Sequence, residues 1–359
     1  MAENGNGRGE SHNGVKRPTF CVALNKTGEC KRIQCDSQNE IMELLGDSKI
    51  AWTNYTVEDI RGKGEEIATS LGFSQGLVTK LLEGHYSEYE DRDVELGLLM
   101  PAVTVKNLEV TVNPLIILMR KGFILTMAGG EVVRLVKFSR YADVFFRKIP
   151  KNVSWQDALT LTLIRILDEN NDRNFDHLRE IESQADELSK DLLDPQSSRY
   201  KIGPAIYNMK HALITYMNVL WATLDVVNSL RYGDAEIVTD NKKILERFTI
   251  LSTDVTQHLQ LSEHMSEVLA SGLEVLQTIY NNQLQMLNNR LAFLATWLAI
   301  IGTAILVPNT LATIYGIPAV SEHLSFSFIM WSLSIATVLS TASVFFVLKW
   351  KEWMPQREW

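Results

Sequence analysis

The sequence predicts an α+β membrane protein: a cytosolic N-terminal α/β domain, then a long stalk helix continuous with the first of two transmembrane helices. Three observations carry this. Strand-like and helix-like segments alternate from about residue 19 to residue 127. From about residue 240 to 307 there is no proline, and Ile244, Phe248, Leu251 and Val255 set a 4-3-4 rhythm of the coiled-coil kind. The C-terminal part holds two stretches without a charged residue, 291–321 and 324–348, each longer than the roughly 20 apolar residues that cross a bilayer.

Taken in order, residues 1–16 are polar, rich in Gly and Asn, and lack the apolar core of a signal peptide; they read as a disordered cytoplasmic N-terminus. Residues 17–153 form the α/β domain. Segments 19–24, 50–57, 103–112, 115–119 and 122–127 read as strands, being β-branched or aromatic and punctuated by Gly, Pro or Asn. Segments 38–45, 64–71 and 75–82 read as helices. Residues 154–239 are a long helical segment. Here 155–192 read as one helix, with Leu159, Leu163, Ile166 and Leu167 on a common face. Pro195 ends it, and a second helix runs from 204 to 232, stopped by Gly233-Asp234. The stalk occupies 240–290. Its seam continues through Leu261, Met265, Leu269, Leu273 and Leu276. A helix from 240 to 315 is about 110 Å long at about 1.5 Å per residue, which implies a stalk shared among subunits. The first span is 291–316, a loop covers 317–325, the second span is 326–348, and 349–359 is a basic tail.

The formal net charge of -8, without a basic stripe, argues against nucleic acid as a partner. The cysteines are Cys21, Cys30 and Cys35. With no second pair or nearby His to complete a metal site, they read as reduced structural thiols of a cytosolic domain. Arg290 precedes the first span, and Lys349, Lys351 and Arg357 follow the second, whereas the loop carries only Glu322 and His323. The excess of basic residues places both termini in the cytoplasm and the loop outside, as in a multi-pass protein of the plasma (inner) membrane.

Stepping by three or four from Asn288 gives Asn288, Leu291, Ala295, Leu298, Gly302, Leu306, Asn309 and Thr313. At about 100° per residue all eight fall within roughly 80° of arc. In a symmetric bundle, such a face makes a pore: Asn rings hold a hydrated cation through its water shell, and Leu rings gate by excluding water. The competing reading is a packing face, with Asn288 and Thr313 at the interfaces and Asn309, beside Pro308, capping a kinked helix. The second span is rich in Ser and Thr (Ser332, Ser334, Thr337, Ser340, Thr341, Ser343) that bond locally to helix carbonyls, so it reads as an outer helix.

The chain resembles the CorA superfamily of divalent-cation channels and transporters. Ala51-Trp52 through Val57, Glu65-Glu66-Ile67, Leu71-Gly72-Phe73 and Leu81-Leu82-Glu83-Gly84-His85 are similar to its N-terminal domain. Asn282-Gln283 through Asn288-Asn289-Arg290 is similar to the segment entering its first span. The most specific match is Ile314-Tyr315-Gly316 closing that span, followed by a short loop, a second span and a basic tail. The resemblance implies a homopentameric funnel with an α/β/α layer in the cytosolic domain. It also implies passive entry of Mg2+, which serves as transported ion and as possible regulator. Membrane lipid and divalent cations are then the partners. No catalytic residue is needed, and no Walker loop or nucleophile motif is present.

Two departures stand out. The family's Tyr-Gly-Met-Asn at the pore mouth is here Tyr315-Gly316-Ile317-Pro318. Proline has no amide, so Asn309, two turns deeper, is the candidate metal-facing ring, with Glu322 attracting cations at the mouth. The second concerns gating. Asp254 resembles the family's stalk Asp, and Lys80 stands where the resemblance leads one to expect its acidic partner, so an ion pair would replace a bridging metal. The leading function is passive divalent-cation transport, Mg2+ first. The alternatives are Zn2+, Co2+ or Ni2+ transport and a non-transporting regulatory or sensor paralogue. An enzyme has no supporting motif.

Overall fold

The computed structural model describes residues 19–350 except 35–37, 131, 133, 151, 194–198 and 233–234. The expected disorder of 1–16, Cys35, the stops at Pro195 and Gly233-Asp234, and the tail beyond Trp350 all lie outside the described residues. The chain divides into two compact units, one ending at Gly272 and one beginning at Leu273.

The first unit is built on a seven-stranded sheet. Its elements are β1 (Phe20–Asn25), β2 (Cys30–Gln34), α1 (Gln38–Gly46), β3 (Ser48–Thr56), α2 (Ile60–Ser70), α3 (Leu77–Leu81), β4 (Glu88–Asp91), β5 (Glu95–Lys106), β6 (Glu109–Arg120) and β7 (Phe123–Ala128). Strand order is β2-β1-β3-β7-β6-β5-β4; among the described residues only β3 and β7 pair in parallel. Then come α4 (Arg134–Ser139), α5 (Ala142–Lys148), α6 (Trp155–Asn171), α7 (Asn174–Leu193) and α8 (Arg199–Arg231). Helix α9 (Lys242–Tyr315) starts here and continues into the second unit, which adds α10 (Pro318–Ser321) and α11 (Phe326–Trp350).

Side chains alternate across a strand, so a sheet covered on both faces feeds two cores. Phe20, Val22, Trp52, Leu98, Ile117 and Ile124 point to one, shared with Phe138, Phe146, Leu163, Val227 and Phe248 of the later helices. Cys21, Ala51, Ile116, Leu118 and Leu125 point to the other, covered by Ile41, Ile67, Leu77 and Leu81 of α1 to α3. This is the α/β/α layering that the resemblance implied. Trp52 centres the first core. It is fully buried, stacks on Phe138 at 4.6 Å and meets Phe20 edge-on at 5.0 Å. Its indole N–H donates to Thr126 Oγ1 at 3.0 Å.

Several expectations are corrected. The strand expected over 103–112 is two strands. The chain reverses at Asn107-Leu108, both with positive φ (50° and 65°), and β5 pairs with β6 over its whole length. β-Branched residues on both sides of a two-residue turn mimic a single run. The single helix expected over 155–192 is α6 and α7, broken at Asp172-Arg173. Asn170, Asn171 and Asn174 are buried there: Asn170 Nδ2 donates to the Pro101 carbonyl at 3.0 Å, and Tyr216 Oη to the Asn174 carbonyl at 2.5 Å. Helix α8 begins at Arg199, ahead of Pro204, which is carried near its N-terminal end. Helix α2 begins earlier, at Ile60, because Asp59 accepts from the Gly62 N–H. Strands β2 and β4, the first half of β5, and helices α4 and α5 were not expected.

Candidate pore helix

Among the described residues, two helices are long and apolar enough to cross a membrane, α9 and residues 326–347 of α11. Both belong to the second unit in their apolar parts. A 74-residue helix formed from a sequence free of proline up to Pro308 meets the expectation of a stalk continuous with the first span.

The eight stripe residues (Asn288, Leu291, Ala295, Leu298, Gly302, Leu306, Asn309 and Thr313) are all exposed in the single chain. From Asn288 to Tyr315, those that lose exposure are Thr296, Ile300, Thr303, Ala304, Val307, Pro308, Leu311 and Tyr315. At about 100° per residue this second set lies on the opposite side of the helix. It faces α11, since Trp297 and Ile300 share a groove with Thr337, Thr341, Ala342 and Phe345. The partly buried side of α11 mixes Ile329, Leu333 and Val344 with the small or hydroxylated Ser332, Ala336, Thr337, Ser340 and Thr341, and small residues let helices approach closely in lipid. Their hydroxyls turn inward, as expected: Ser332 donates to the Ile329 carbonyl at 2.9 Å, Thr337 to Leu333 at 2.7 Å and Thr341 to Thr337 at 2.7 Å.

The stripe carries three kinds of surface. Leu298 and Leu306 are 69% and 67% exposed, large apolar groups with no cover within the chain. Gly302 sits between them with open space where a Cβ would stand. Asn309 and Thr313 bring polar atoms, and the Thr313 hydroxyl donates to the Asn309 carbonyl at 2.7 Å, leaving its oxygen free to accept from a water. Pro308 cannot donate the N–H that would bond Ala304, so the backbone beside Asn309 lacks one helix bond.

At the mouth, Tyr315 ends α9 and the Gly316 N–H bonds the Ala312 carbonyl at 3.0 Å. A Cβ on Gly316 would lie 3.4 Å from the carbonyls of Ala312 and Thr313, a tight fit. Ile317 is extended and Pro318 takes the first position of α10, where its fixed φ and missing N–H cost nothing. Glu322 is exposed, and its N–H bonds the Pro318 carbonyl at 3.2 Å. Proline therefore shapes a turn at the position where the resemblance led one to expect an amide.

The two gating candidates, both in the first unit, are not joined by an ion pair within one chain among the described residues. Lys80 Nζ lies 3.4 Å from Glu83 Oε2, both exposed. Asp254 borders a cavity of about 450 Å³ with Tyr141, Arg165, Asp168 and Arg247. Sequence reasoning missed this cluster, although Arg165, Asp168 and Glu169 stand at the i, i+3 and i+4 spacing of helical ion pairs. Arg165 Nη1 binds Asp168 Oδ2 at 2.8 Å, and Arg165 also binds Glu169 and the Tyr141 hydroxyl. Burial raises the Asp168 carboxyl above its ordinary value, Arg165 opposes this, and Asp172 and Asp254 add to it. Among the described residues, no group of three or more His, Cys, Asp or Glu is placed to hold a metal ion.

A family model described as CorA-like Mg2+ transporter protein matches residues 47–350. Among solved structures, the complete CorA magnesium transporter of Methanocaldococcus jannaschii matches with TM-score 0.67 and 17% identity, over 93% of this chain and 98% of that one. The full-length CmaX protein matches with TM-score 0.60 and 17% identity, over 94% and 100%. The ZntB cytoplasmic domain of Vibrio parahaemolyticus matches with TM-score 0.55 and 14% identity, over 73% and 98%. At these identities the likeness establishes the fold. A search of curated proteins finds no match.

Proposed function

The chain belongs to the family of CorA-like Mg2+ transporter proteins, and on that premise we propose that it carries divalent cations passively across a membrane, Mg2+ first, through a homopentameric pore lined by the α9 stripe. The observation that carries this is the complete exposure of that stripe on the side of α9 away from α11. Leu298 and Leu306 need a partner that one chain does not supply, and symmetric copies around an axis supply it. Polar groups at membrane depth are expensive unless they face a bundle interior or a wet cavity, which suits Asn309.

The stripe holds amides, a hydroxyl and aliphatic groups, and no His or Cys. Oxygen ligands suit a hydrated hard ion, while Zn2+ stripped of water prefers nitrogen or sulfur. In this reading Asn288 and Asn309 hold the ion through its waters, the Leu rings set the dry barrier, and Glu322 draws cations to the mouth past Tyr315-Gly316-Ile317-Pro318. Arg290 and Lys349 flank the spans at the same end, which supports cytoplasmic termini in a plasma membrane. Between neighbouring copies, Lys80 and Asp254 form the contact that takes the place of a bridging cation.

Purified chain in proteoliposomes, assayed separately for Mg2+, Zn2+, Co2+ and Ni2+ uptake, tests this. Saturable Mg2+ uptake driven by an inside-negative potential is the expected result. A preference for a transition metal would overturn the ion, and no flux of any ion would favour a regulatory or sensor protein. Lys80→Asp should make uptake sensitive to internal Mg2+; unchanged sensitivity would remove the gating contact.

A further inference from the structure

The groove between α9 and α11 has a volume of about 520 Å³, within the roughly 300–1,000 Å³ of ligand pockets. Trp297 and Ile300 of α9 and Thr341, Ala342, Phe345 and Phe346 of α11 line it. Trp297 and Phe346 remain 48% and 69% exposed, while Ile300 is buried. The groove offers only apolar surface although threonines border it, because the Thr341 hydroxyl is turned onto its own helix.

The ends of the groove differ. Arg290 lies seven residues before Trp297, two helical turns away and on the same side of α9. Lys349 lies four residues beyond Phe345 and seven beyond Ala342, on the groove side of α11. The helices share this groove as consecutive spans joined by a short connection, so both cations stand at one end. Neither forms an ion pair with a carboxylate among the described residues. Along the groove itself there is no charged side chain.

We propose that this groove binds an anionic phospholipid, with an acyl chain between Trp297 and Phe345 and the phosphate held by Arg290 and Lys349. An apolar groove with two cations beyond one end suits a phospholipid in both parts, and basic pockets between membrane helices hold anionic headgroups in this way. Trp297 near that end suits the interface, where an indole keeps an apolar body in the acyl region and a polar N–H toward the headgroups. The inference rests on the membrane-spanning reading and is independent of ion flux.

The test is lipid retention by the full chain, reconstituted in an equimolar mixture of phosphatidylglycerol and phosphatidylcholine and examined by native mass spectrometry. Each cation should add about fivefold to the preference for phosphatidylglycerol, equivalent to about 1 kcal/mol. Arg290→Gln with Lys349→Gln should bring the two lipids close to parity, and Arg290→Lys with Lys349→Arg should keep the preference. Ala342→Trp, which puts an indole into the groove, should reduce retention of both lipids. Equal retention of the two lipids by the unaltered chain would overturn the proposal. So would Ala342→Trp leaving retention unchanged while lowering the oligomer mass, since a second copy would then occupy the groove. A chain recovered in solution without detergent would overturn the spanning reading, and this proposal with it.

Discussion

The two units of this chain treat large apolar side chains in opposite ways. In the first, Trp52, Phe123, Phe138 and Phe248 are buried to within a few per cent, and both faces of the sheet are covered. In the second, Leu298, Leu306, Trp331 and Phe346 are each about two-thirds exposed or more. A water-soluble unit cannot leave a surface of that kind bare. The first unit therefore closes its own core, whereas the second, in the pore proposed above, would be completed by lipid and by other copies of the chain. The exposed residues of α9 also differ by face: the side against α11 is partly buried, and the far side is the stripe of Asn288 to Thr313.

The largest expected effect lies in the closed unit. Trp52→Ala should cost about 3–5 kcal/mol of stability, read by denaturant unfolding of the full chain in detergent, with divalent uptake in the folded fraction unchanged. A loss below about 1 kcal/mol would mean that the buried and exposed regions are not the separate classes drawn above. Next is the open unit: Asn309→Leu should reduce divalent uptake about tenfold, equivalent to about 1.4 kcal/mol of barrier, without shifting the unfolding midpoint. Uptake equal to that of the unaltered chain would return Asn309 to the role of a cap beside Pro308.

A smaller effect is expected at the β5–β6 turn. Leu108 pays for a left-handed backbone, so Leu108→Gly should stabilise the first unit by about 0.5–1 kcal/mol; a destabilised variant would contradict the turn. The smallest effect concerns pH. Burial pushes the His258 imidazole below its ordinary value, with Asp254 partly offsetting it. The folded state then favours the neutral ring. Its contribution is complete above the ordinary histidine value of about 6.5 and is lost as pH falls through the lower folded value. His258→Gln should flatten that part of the stability profile, measured by thermal unfolding; an unchanged slope would assign it to another group.

How far the sequence could be read followed the length scale of each signal. The spans and stalk depended on patterns of twenty residues or more, which a local irregularity cannot hide, and α9 and α11 match them closely. Strands β1, β3 and β7 were legible because Gly, Pro and polar residues bracket short apolar runs. The β5–β6 turn was not, since Asn107-Leu108 interrupts a β-branched stretch for only two residues. The break at Asp172-Arg173 was hidden for a different reason: Asn170 and Tyr216 take their partners from segments distant in sequence. In the candidate site, the helical arithmetic that grouped Asn288, Leu298 and Asn309 needed no tertiary knowledge, and the structure places them on one exposed face. The Arg165 cluster beside Asp254 depends on α5, α6 and α9 meeting in space. Pro318 was legible as a lost amide, but its service as the first residue of α10 was not.

The most direct test of the central claim compares the two faces of α9. In a chain with Cys21, Cys30 and Cys35 replaced by Ala, Leu298→Cys or Ile300→Cys is introduced, and proteoliposome uptake is followed while a charged thiol reagent is added. The account predicts that the reagent abolishes most uptake through Leu298→Cys, on the stripe, and leaves Ile300→Cys, buried against α11, nearly unaffected. Block at Ile300→Cys with none at Leu298→Cys would contradict it.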